Sequence, residues 1–299
     1  MGIIIGVNSL EKNVGVSTTS LTLAERISKF SDLSVCVVDL DKKNPELSLI
    51  VEQIRFSTIN IDNIMTYLSL NDIPDDINGV IEASLVKFKN SKVSCIYGSR
   101  LDRDFSTRQY LNFFKIIKHC FDIIIIDFGV TEIKSTFMED IDLHILIFQS
   151  SFKFFEKLKR NAKMYITKNT VLLLNHYDKK LTNLKRALIQ EYKSVKIIGE
   201  LPSSNYLNTK IIHGDINIDK GNYSYSLSKV SERIIKELGL KMFVKKKGLF
   251  GKIETYEENV YVKEYSEPLL GDILLEMGAI NEKQLAKALQ KQKAMTKIE

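Results

Sequence analysis

The amino-acid sequence predicts an α/β protein with a doubly wound, mainly parallel β-sheet. Short apolar runs, rich in β-branched residues, alternate along the chain with longer segments of helical periodicity. Strands that are apolar on both faces are typical of a parallel sheet that helices cover on either side. Their alternation with helices indicates βαβ units and a twisted sheet of about seven or eight strands.

Each predicted element corresponds to one of these segments. The strands are predicted at Ile3–Val7, Ser34–Val38, Val93–Tyr97, Ile123–Ile126, His144–Phe148, Val171–Leu174 and Val195–Gly199. Helical segments are predicted at Thr19–Lys29, Thr107–His119, Phe152–Ile166, Leu181–Tyr192 and Leu227–Leu238. The last of these helices closes a first domain, which we assign to residues 1–240.

The composition changes after this domain. Residues 241–267 are basic and polar with little periodicity, which we interpret as a linker. The helical period resumes in residues 268–299, where two apolar stripes recur. The stripes consist of Leu270, Ile273, Leu274 and Met277, and then of Leu285, Ala288 and Leu289. We therefore predict a small C-terminal module of two helices, which is too short to bury a core of its own and should pack on another protein.

Overall composition is that of a globular cytoplasmic protein. Hydrophobic residues make up 44% of the chain and charged residues 27%, a balance that excludes a disordered polyelectrolyte. No apolar run approaches the roughly 20 residues that cross a bilayer, and Met1–Val7 lacks the basic start of a signal peptide. Three scattered cysteines favour reduced thiols over a zinc site. The net charge of +6 is too small to indicate nucleic acid or lipid by itself.

The segment after the first strand has the position of a phosphate-binding loop but only part of its chemistry. Such a loop needs converging backbone N–H groups, a lysine that reaches the terminal phosphates, and a hydroxyl that holds Mg²⁺. Gly15 provides the glycine, and Ser17 or Thr18 provides the hydroxyl. Val16 stands where the lysine belongs.

This segment resembles the loop of the ParA/MinD superfamily, K-G-G-V-G-K-T-T. Residues Glu11–Thr18 read E-K-N-V-G-V-S-T, so both lysines and two glycines of the motif are replaced. Four later segments resemble the superfamily's strands in the correct order: Val35–Asp41 with its D-x-D end, Phe121–Asp127, Val171–Asn175 and Ile197–Pro202. The resemblance implies a fold like that of the P-loop NTPases, a nucleotide pocket with ATP and Mg²⁺ as its cofactors, and a homodimer.

The resemblance also assigns roles to single residues. The residues that would bind the nucleotide are Gly15, Ser17, Thr18 and Asn175, the last through the base. The residues on the Mg²⁺ side would be Ser17, Asp39 and Asp127, and Asp41 is the candidate carboxylate beside the attacking water. The alternative is that these strand-end carboxylates cap helices or face solvent, with no role in binding.

Loss of both lysines predicts weak or no ATP binding and negligible ATP hydrolysis. One transition-state cation can contribute about 10³-fold or more to phosphoryl transfer. Glu11 instead places a negative charge beside the expected triphosphate, and one such pair about 4 Å apart costs about 4 kcal/mol at an effective dielectric near 20. We assign no catalytic residue beyond the candidate Asp41.

Two segments point to a cellular role. The lysine-free loop resembles the CpaE/TadZ branch of the superfamily, which localises pilus assembly machinery. Residues 269–278 resemble the first motif of the N-terminal domain of type II secretion and type IV pilus assembly ATPases, although Leu269 replaces its arginine. We therefore predict a non-catalytic or weakly active localisation and assembly factor, whose C-terminal module docks a pilus or secretion protein.

Two alternatives stay open. The first is an active ParA-type partition ATPase that binds DNA, although the lysines are missing and no basic helix supports nucleic-acid binding. The second is an adaptor that responds to cyclic di-GMP, which tandem copies of the tail motif bind in some relatives. In addition, the basic cluster Lys245–Lys252 is either a solvated linker or a membrane contact, in which case this cytoplasmic protein is peripheral at the inner face of the membrane.

Overall fold

A computed structural model describes most of the first domain and part of the segment that follows it. The described residues are 2–42, 44–47, 59–70, 76–88, 91–98, 105–130, 135–149, 151–177, 182–213, 215–247 and 253–258. The predicted helical module at 268–299 lies outside these residues. None of the helices within the described ranges is long and apolar enough to cross a bilayer.

An eight-stranded sheet forms the centre of the described structure. Its strands are β1 (Ile3–Ser9), β2 (Val35–Asp39), β3 (Val86–Lys87), β4 (Ser94–Ile96), β5 (Ile123–Asp127), β6 (Leu143–Gln149), β7 (Thr170–Asn175) and β8 (Lys196–Glu200). The strand order is β3-β4-β2-β5-β1-β6-β7-β8. The pairs in this sheet are parallel apart from β3 with β4. The predicted α/β class with a mainly parallel, doubly wound sheet is therefore confirmed.

Helices cover both faces of this sheet. They are α1 (Val16–Phe30), α2 (Ile61–Leu70), α3 (Ile77–Ser84), α4 (Thr107–Cys120), α5 (Ser135–Met138), α6 (Phe152–Tyr165), α7 (Thr182–Glu191), α8 (Asn205–Ile212) and α9 (Gly221–Glu237). One hydrophobic core joins the sheet to α1, α8 and α9, and another joins it to α2, α3, α4 and α5. A third lies under α6 and α7.

The central strands show why the sequence folds in this way. All five residues of β5 are buried, because β1 and β2 flank the strand and helices pack on both of its faces. β-branched isoleucine suits such a position, since its stiff side chain packs well on a pleated surface. Capping fixes where the helices start. At α4, for example, the Ser106 hydroxyl accepts the backbone N–H of Gln109 at 3.3 Å, and the Gln109 side chain accepts that of Ser106 at 2.7 Å.

The strand order determines where a ligand would bind. β1 lies between β5 and β6, where the direction of winding reverses. In open α/β sheets, ligands bind beyond the carboxyl ends of the strands at such a switch point. The predicted loop starts at this end of β1, and the carboxyl ends of β2, β5 and β7 lie along the same edge.

The segment that we interpret as a linker contains a hairpin. β9 (Met242–Lys247) pairs antiparallel with β10 (Ile253–Glu258). The sequence does not signal these strands, because the lysine and glutamate runs obscure any alternation of apolar and polar residues. The register places Glu254 opposite Lys246.

Candidate functional site: a carboxylate-lined loop at the switch point

The connection between β1 and α1 has the backbone shape of a phosphate-binding loop. Gly15, the residue before α1, has a φ of 81°, and Asn13 has a φ of 60°. Both angles are left-handed, a conformation that glycine adopts freely and that asparagine tolerates better than most residues. Asn13 therefore preserves the backbone conformation at a position where the superfamily motif has glycine.

Asn175, the predicted base contact, holds this loop in place. Its Nδ2 donates a 2.7 Å hydrogen bond to the carbonyl of Val14. A Cβ on Gly15 would lie 2.7 Å from the same Nδ2, so the loop and the end of β7 approach too closely for a side chain at Gly15. The contact of Asn175 with a base stays a prediction.

The two predicted hydroxyl residues open helix α1. Ser17 is 4% exposed and lies beside the carboxyls of Asp127 and Glu46, whose pKa values its hydroxyl lowers. Thr18 is half-buried one residue further on, and its carbonyl accepts a 2.8 Å hydrogen bond from the Thr22 hydroxyl. Of the two, Ser17 has the carboxylate neighbours that a Mg²⁺ ligand requires.

Asp39 and Asp127 lie side by side, as predicted for the strand ends. They are register partners in the parallel pair of β2 and β5, and adjacent strands lie about 4.8 Å apart. Asp39 accepts backbone N–H groups through both oxygens, from Asp41 at 3.0 Å and from Leu47 at 3.3 Å. Burial and the neighbouring Asp127 raise the pKa of Asp39 well above its ordinary value. These bonds anchor the chain after β2, and coordination of Mg²⁺ by Asp39 stays a prediction.

Asp127 is the most unusual group in the site. It is 0% exposed, its Oδ1 accepts the Gly129 N–H at 2.8 Å, and its Oδ2 has no hydrogen-bond partner among the described residues. Burial raises the pKa of Asp127 to about 7; Ser17 and the Gly129 N–H oppose the rise, and the charges of Asp41 and Glu46 add to it. A buried acceptor without a partner needs a proton or a cation.

Asp41 and Glu46 complete a group of four carboxyls. Asp41 is buried, accepts the Asn44 N–H at 3.2 Å, and lies against Gly129, where a Cβ would collide with its carboxylate. Glu46 accepts the Asn44 side-chain amide at 2.9 Å. Burial, and then the charge of Asp41, raises the pKa of Glu46. The sequence offers no signal for Glu46, which lies in the irregular segment after β2.

Val16 and Glu11 stand at the two positions where the superfamily motif has lysine, and their side chains have different surroundings. Val16 is 7% exposed and belongs to the hydrophobic core with α9, so its side chain serves packing. Glu11 lies on the loop with one oxygen 3.9 Å from Nζ of Lys153 in α6. Lys157, one turn further along α6, donates to the Leu10 carbonyl. Both lysines therefore contact the outer side of the loop.

The resulting cleft has a cavity volume of about 30 Å³. Its polar lining includes Glu11, Lys12, Ser17, Asp41, Asn44 and Glu46. This volume has room for an ion or a few water molecules. With three carboxylates and one ammonium group in this lining, the site does not fit a triphosphate. The Ser17 hydroxyl and the free Asp127 oxygen do fit Mg²⁺, a cation that prefers oxygen ligands.

The carboxyls do not form a complete metal cage. Among the described residues, no three His, Cys, Asp or Glu side chains are grouped so that they could hold an ion by themselves. Mg²⁺ in proteins often has only one or two carboxylate ligands and keeps several waters. A Mg²⁺ ion bound here would therefore keep part of its water shell.

The sheet order, the loop at its switch point and the strand-end aspartates define the α/β fold of P-loop NTPases. Solved structures of the ParA/MinD kind share this fold. A plasmid partition protein from Borrelia burgdorferi bound to AMPPNP superposes with a TM-score of 0.62 at 17% identity, covering 79% of this chain and 100% of that one. The MinC:MinD cell division complex from Aquifex aeolicus gives a TM-score of 0.63 at 15% identity, covering 79% and 96%.

A third structure, the septum site-determining protein MinD from Pyrococcus horikoshii complexed with Mg-ADP, has a TM-score of 0.59 at 15% identity, covering 80% of this chain and 98% of that one. No protein family model and no curated protein sequence matches the chain. At these identities the likeness establishes the fold, and function has to be argued from the site.

Proposed function

We propose that this protein is a ParA/MinD-like localisation factor that works with little or no ATP turnover. The observation that supports this most strongly is the charge of the loop. Val16 packs in the hydrophobic core, and Glu11, Asp41 and Glu46 line the cleft beside the loop. Phosphoryl transfer depends on positive groups that stabilise developing negative charge, and this arrangement opposes that charge.

The finer role that we propose is placement of pilus or type II/IV secretion machinery. The lysine-free loop and the motif at residues 269–278 support it independently, because both resemble parts of such machinery. In this proposal the module at 268–299 docks a pilus or secretion protein, and two copies of the chain form a homodimer. The basic segment Lys245–Lys252, which begins in β9, would touch anionic lipid at the inner face of the membrane.

A ParA-type partition ATPase is the second candidate function. The solved structures with this fold include a plasmid partition protein bound to AMPPNP, and the described fold would accommodate that role. It requires a cation that replaces the missing lysines, and Lys12 is the basic side chain of the described cleft lining. This candidate therefore predicts ATP turnover that depends on Lys12.

The test combines turnover with partner capture, both on the full chain. ATP hydrolysis is measured with Mg²⁺, with and without DNA, for the native protein and for Lys12→Ala. In parallel, the tagged chain is used to capture pilus and secretion proteins from its host, with Leu274→Asp and Leu285→Asp as interface variants. We expect no turnover above background and a capture that both variants abolish. DNA-stimulated turnover lost in Lys12→Ala would establish the partition ATPase instead, and cyclic di-GMP binding lost on removal of residues 266–299 would establish the adaptor.

A further inference from the structure

We propose that the cleft binds a hard divalent cation, Mg²⁺ in the first place, without any nucleotide, and that Ser17, Glu46 and Asp127 provide its protein ligands. In this arrangement Glu46 replaces the phosphate oxygens that would otherwise complete the coordination. The inference concerns the same cleft as the proposed function but does not depend on a role in localisation.

The first argument is the position of the three oxygen donors. Ser17 and Glu46 line the cavity, and the Ser17 hydroxyl lies beside the carboxyls of both Glu46 and Asp127, whose pKa values it lowers. Asp127 Oδ2 is fully buried and has no hydrogen-bond partner among the described residues. A desolvated carboxylate oxygen without a donor is costly, and a cation in the adjoining cavity would satisfy it. This unpaired atom separates the site from an ordinary acidic surface cluster.

The second argument is the charge balance around the cavity. The cavity lining holds the carboxyls of Glu11, Asp41 and Glu46 and the ammonium group of Lys12. The carboxyls of Asp39 and Asp127 lie close to those of Asp41 and Glu46, as their mutual charge effects show. The neighbouring Lys42 is placed over the rings of Phe105 and Tyr110, at 5.5 and 5.7 Å, on the α4 side. Where a phosphate loop would place positive charge against a polyanion, this cleft places negative charge. The cleft therefore favours a cation over a phosphate group.

The third argument is size. A cavity of about 30 Å³ has room for an ion with part of its water shell. Two carboxylates and one hydroxyl, completed by water, are a common Mg²⁺ environment. This coordination also agrees with the absence of a three-group metal cluster within the described ranges.

A cation at this point would tie two parts of the chain together. Glu46 belongs to the segment after β2, whereas Ser17 belongs to the first turn of α1. With ligands from both parts of the chain, the cation would hold the segment after β2 against the loop. Its positive charge would also offset the repulsion among the carboxyls. Since a ligand that binds only the folded state stabilises it, the cation should raise the unfolding temperature.

The experiment titrates the full chain with MgCl₂ in the absence of nucleotide, after treatment with EDTA, and follows the unfolding temperature and the heat of binding. With Mg²⁺ at about ten times its dissociation constant, we expect a rise of about 3–6 °C. KCl at matched ionic strength should not reproduce the rise. Glu46→Gln should weaken Mg²⁺ binding by about tenfold or more, which corresponds to about 1.4 kcal/mol.

Two further variants make the result specific. Glu11→Gln removes a carboxylate from the same cleft but no proposed ligand, so it should weaken Mg²⁺ binding much less than Glu46→Gln does. Asp127→Asn should lose the response and yet fold, because the amide oxygen still accepts the Gly129 N–H. Circular dichroism confirms folding of each variant.

Three results would overturn the inference: no Mg²⁺ response in the native chain, an equal response in Glu46→Gln, or a response that requires ATP. ATP turnover, measured on the same samples, is a separate readout. If the chain hydrolyses ATP and also responds to Mg²⁺ without nucleotide, the proposed function is wrong and the cation site stands. If the chain shows neither ATP hydrolysis nor a Mg²⁺ response, the cation site is wrong and the proposed function stands.

Discussion

Replacement of Asp127 by asparagine should stabilise the protein, and more at high pH than at low pH. The wild-type carboxyl has a pKa of about 7 in the folded chain against an ordinary value near 3.9. The folded state therefore binds the proton more tightly than the unfolded state does. Stability is highest below the ordinary pKa, falls as the pH rises towards 7, and then stays level.

The magnitude follows from these two values. At pH 8 the buried carboxylate costs about 4 kcal/mol relative to an ordinary one, and at pH 5 it costs about 1.5 kcal/mol. The Asp127→Asn variant has no such cost, and its Oδ1 still accepts the Gly129 N–H. Its gain in the free energy of unfolding should therefore be about 2.5 kcal/mol larger at pH 8 than at pH 5, whatever the substitution costs at both.

The assay is urea denaturation of both proteins at the two pH values, with EDTA present so that no divalent cation contributes. Asp122→Asn is the matched control, because the Ser34 hydroxyl and N–H lower the pKa of that exposed carboxyl. The control should lose stability at pH 8. A variant Asp127→Asn that is equally destabilised at both pH values would refute the account of this site.

Three further predictions concern a buried histidine, two glycines and the missing lysines of the loop. His144 is buried, and burial lowers its pKa to about 4. Acid should therefore remove about 3 kcal/mol of stability between pH 6.5 and pH 4. The His144→Gln variant should lose most of this pH dependence when thermal unfolding is measured across the same range. Gly15→Ala should lower the free energy of unfolding by about 1–3 kcal/mol, because Gly15 has a φ of 81°. Gly79→Ala should raise it by about 0.5–1 kcal/mol, because the added Cβ meets no atom within 4 Å. Both changes are measured by denaturant titration. The double variant Val16→Lys with Glu11→Lys restores both motif lysines and should tighten ATP binding by about tenfold or more, as measured by calorimetry. An unchanged affinity would show that the charges of the loop do not control ATP binding.

The sequence predicted the sheet well because burial on both faces leaves a clear signal. All seven predicted strands are present, since runs such as Ile123–Ile126 are apolar without interruption. The strands that the sequence did not predict lack this signal. β3 has only two residues at the sheet edge, and half of the residues of β9 and of β10 are charged. Their pairing depends on partners that a local pattern does not reveal.

The candidate site was predicted in part. Parallel strands bring their carboxyl ends to one edge, so the proximity of Ser17, Asp39 and Asp127 could be expected from the motif order. Glu46 could not be expected, because it follows β2 in an irregular segment whose path no periodicity describes. Nor could the hydrogen bond from Asn175 to Val14 be foreseen, because it depends on how closely β7 approaches the loop.

ATP turnover by the full chain is the measurement that tests the central claim most directly. The claim is that a lysine-free, carboxylate-lined loop has kept the P-loop fold and given up phosphoryl transfer. With saturating Mg-ATP, and with DNA or anionic vesicles added in turn, the account predicts phosphate release no faster than in buffer. Release well above that background, reduced in Asp41→Ala and unaffected by further purification, would contradict it.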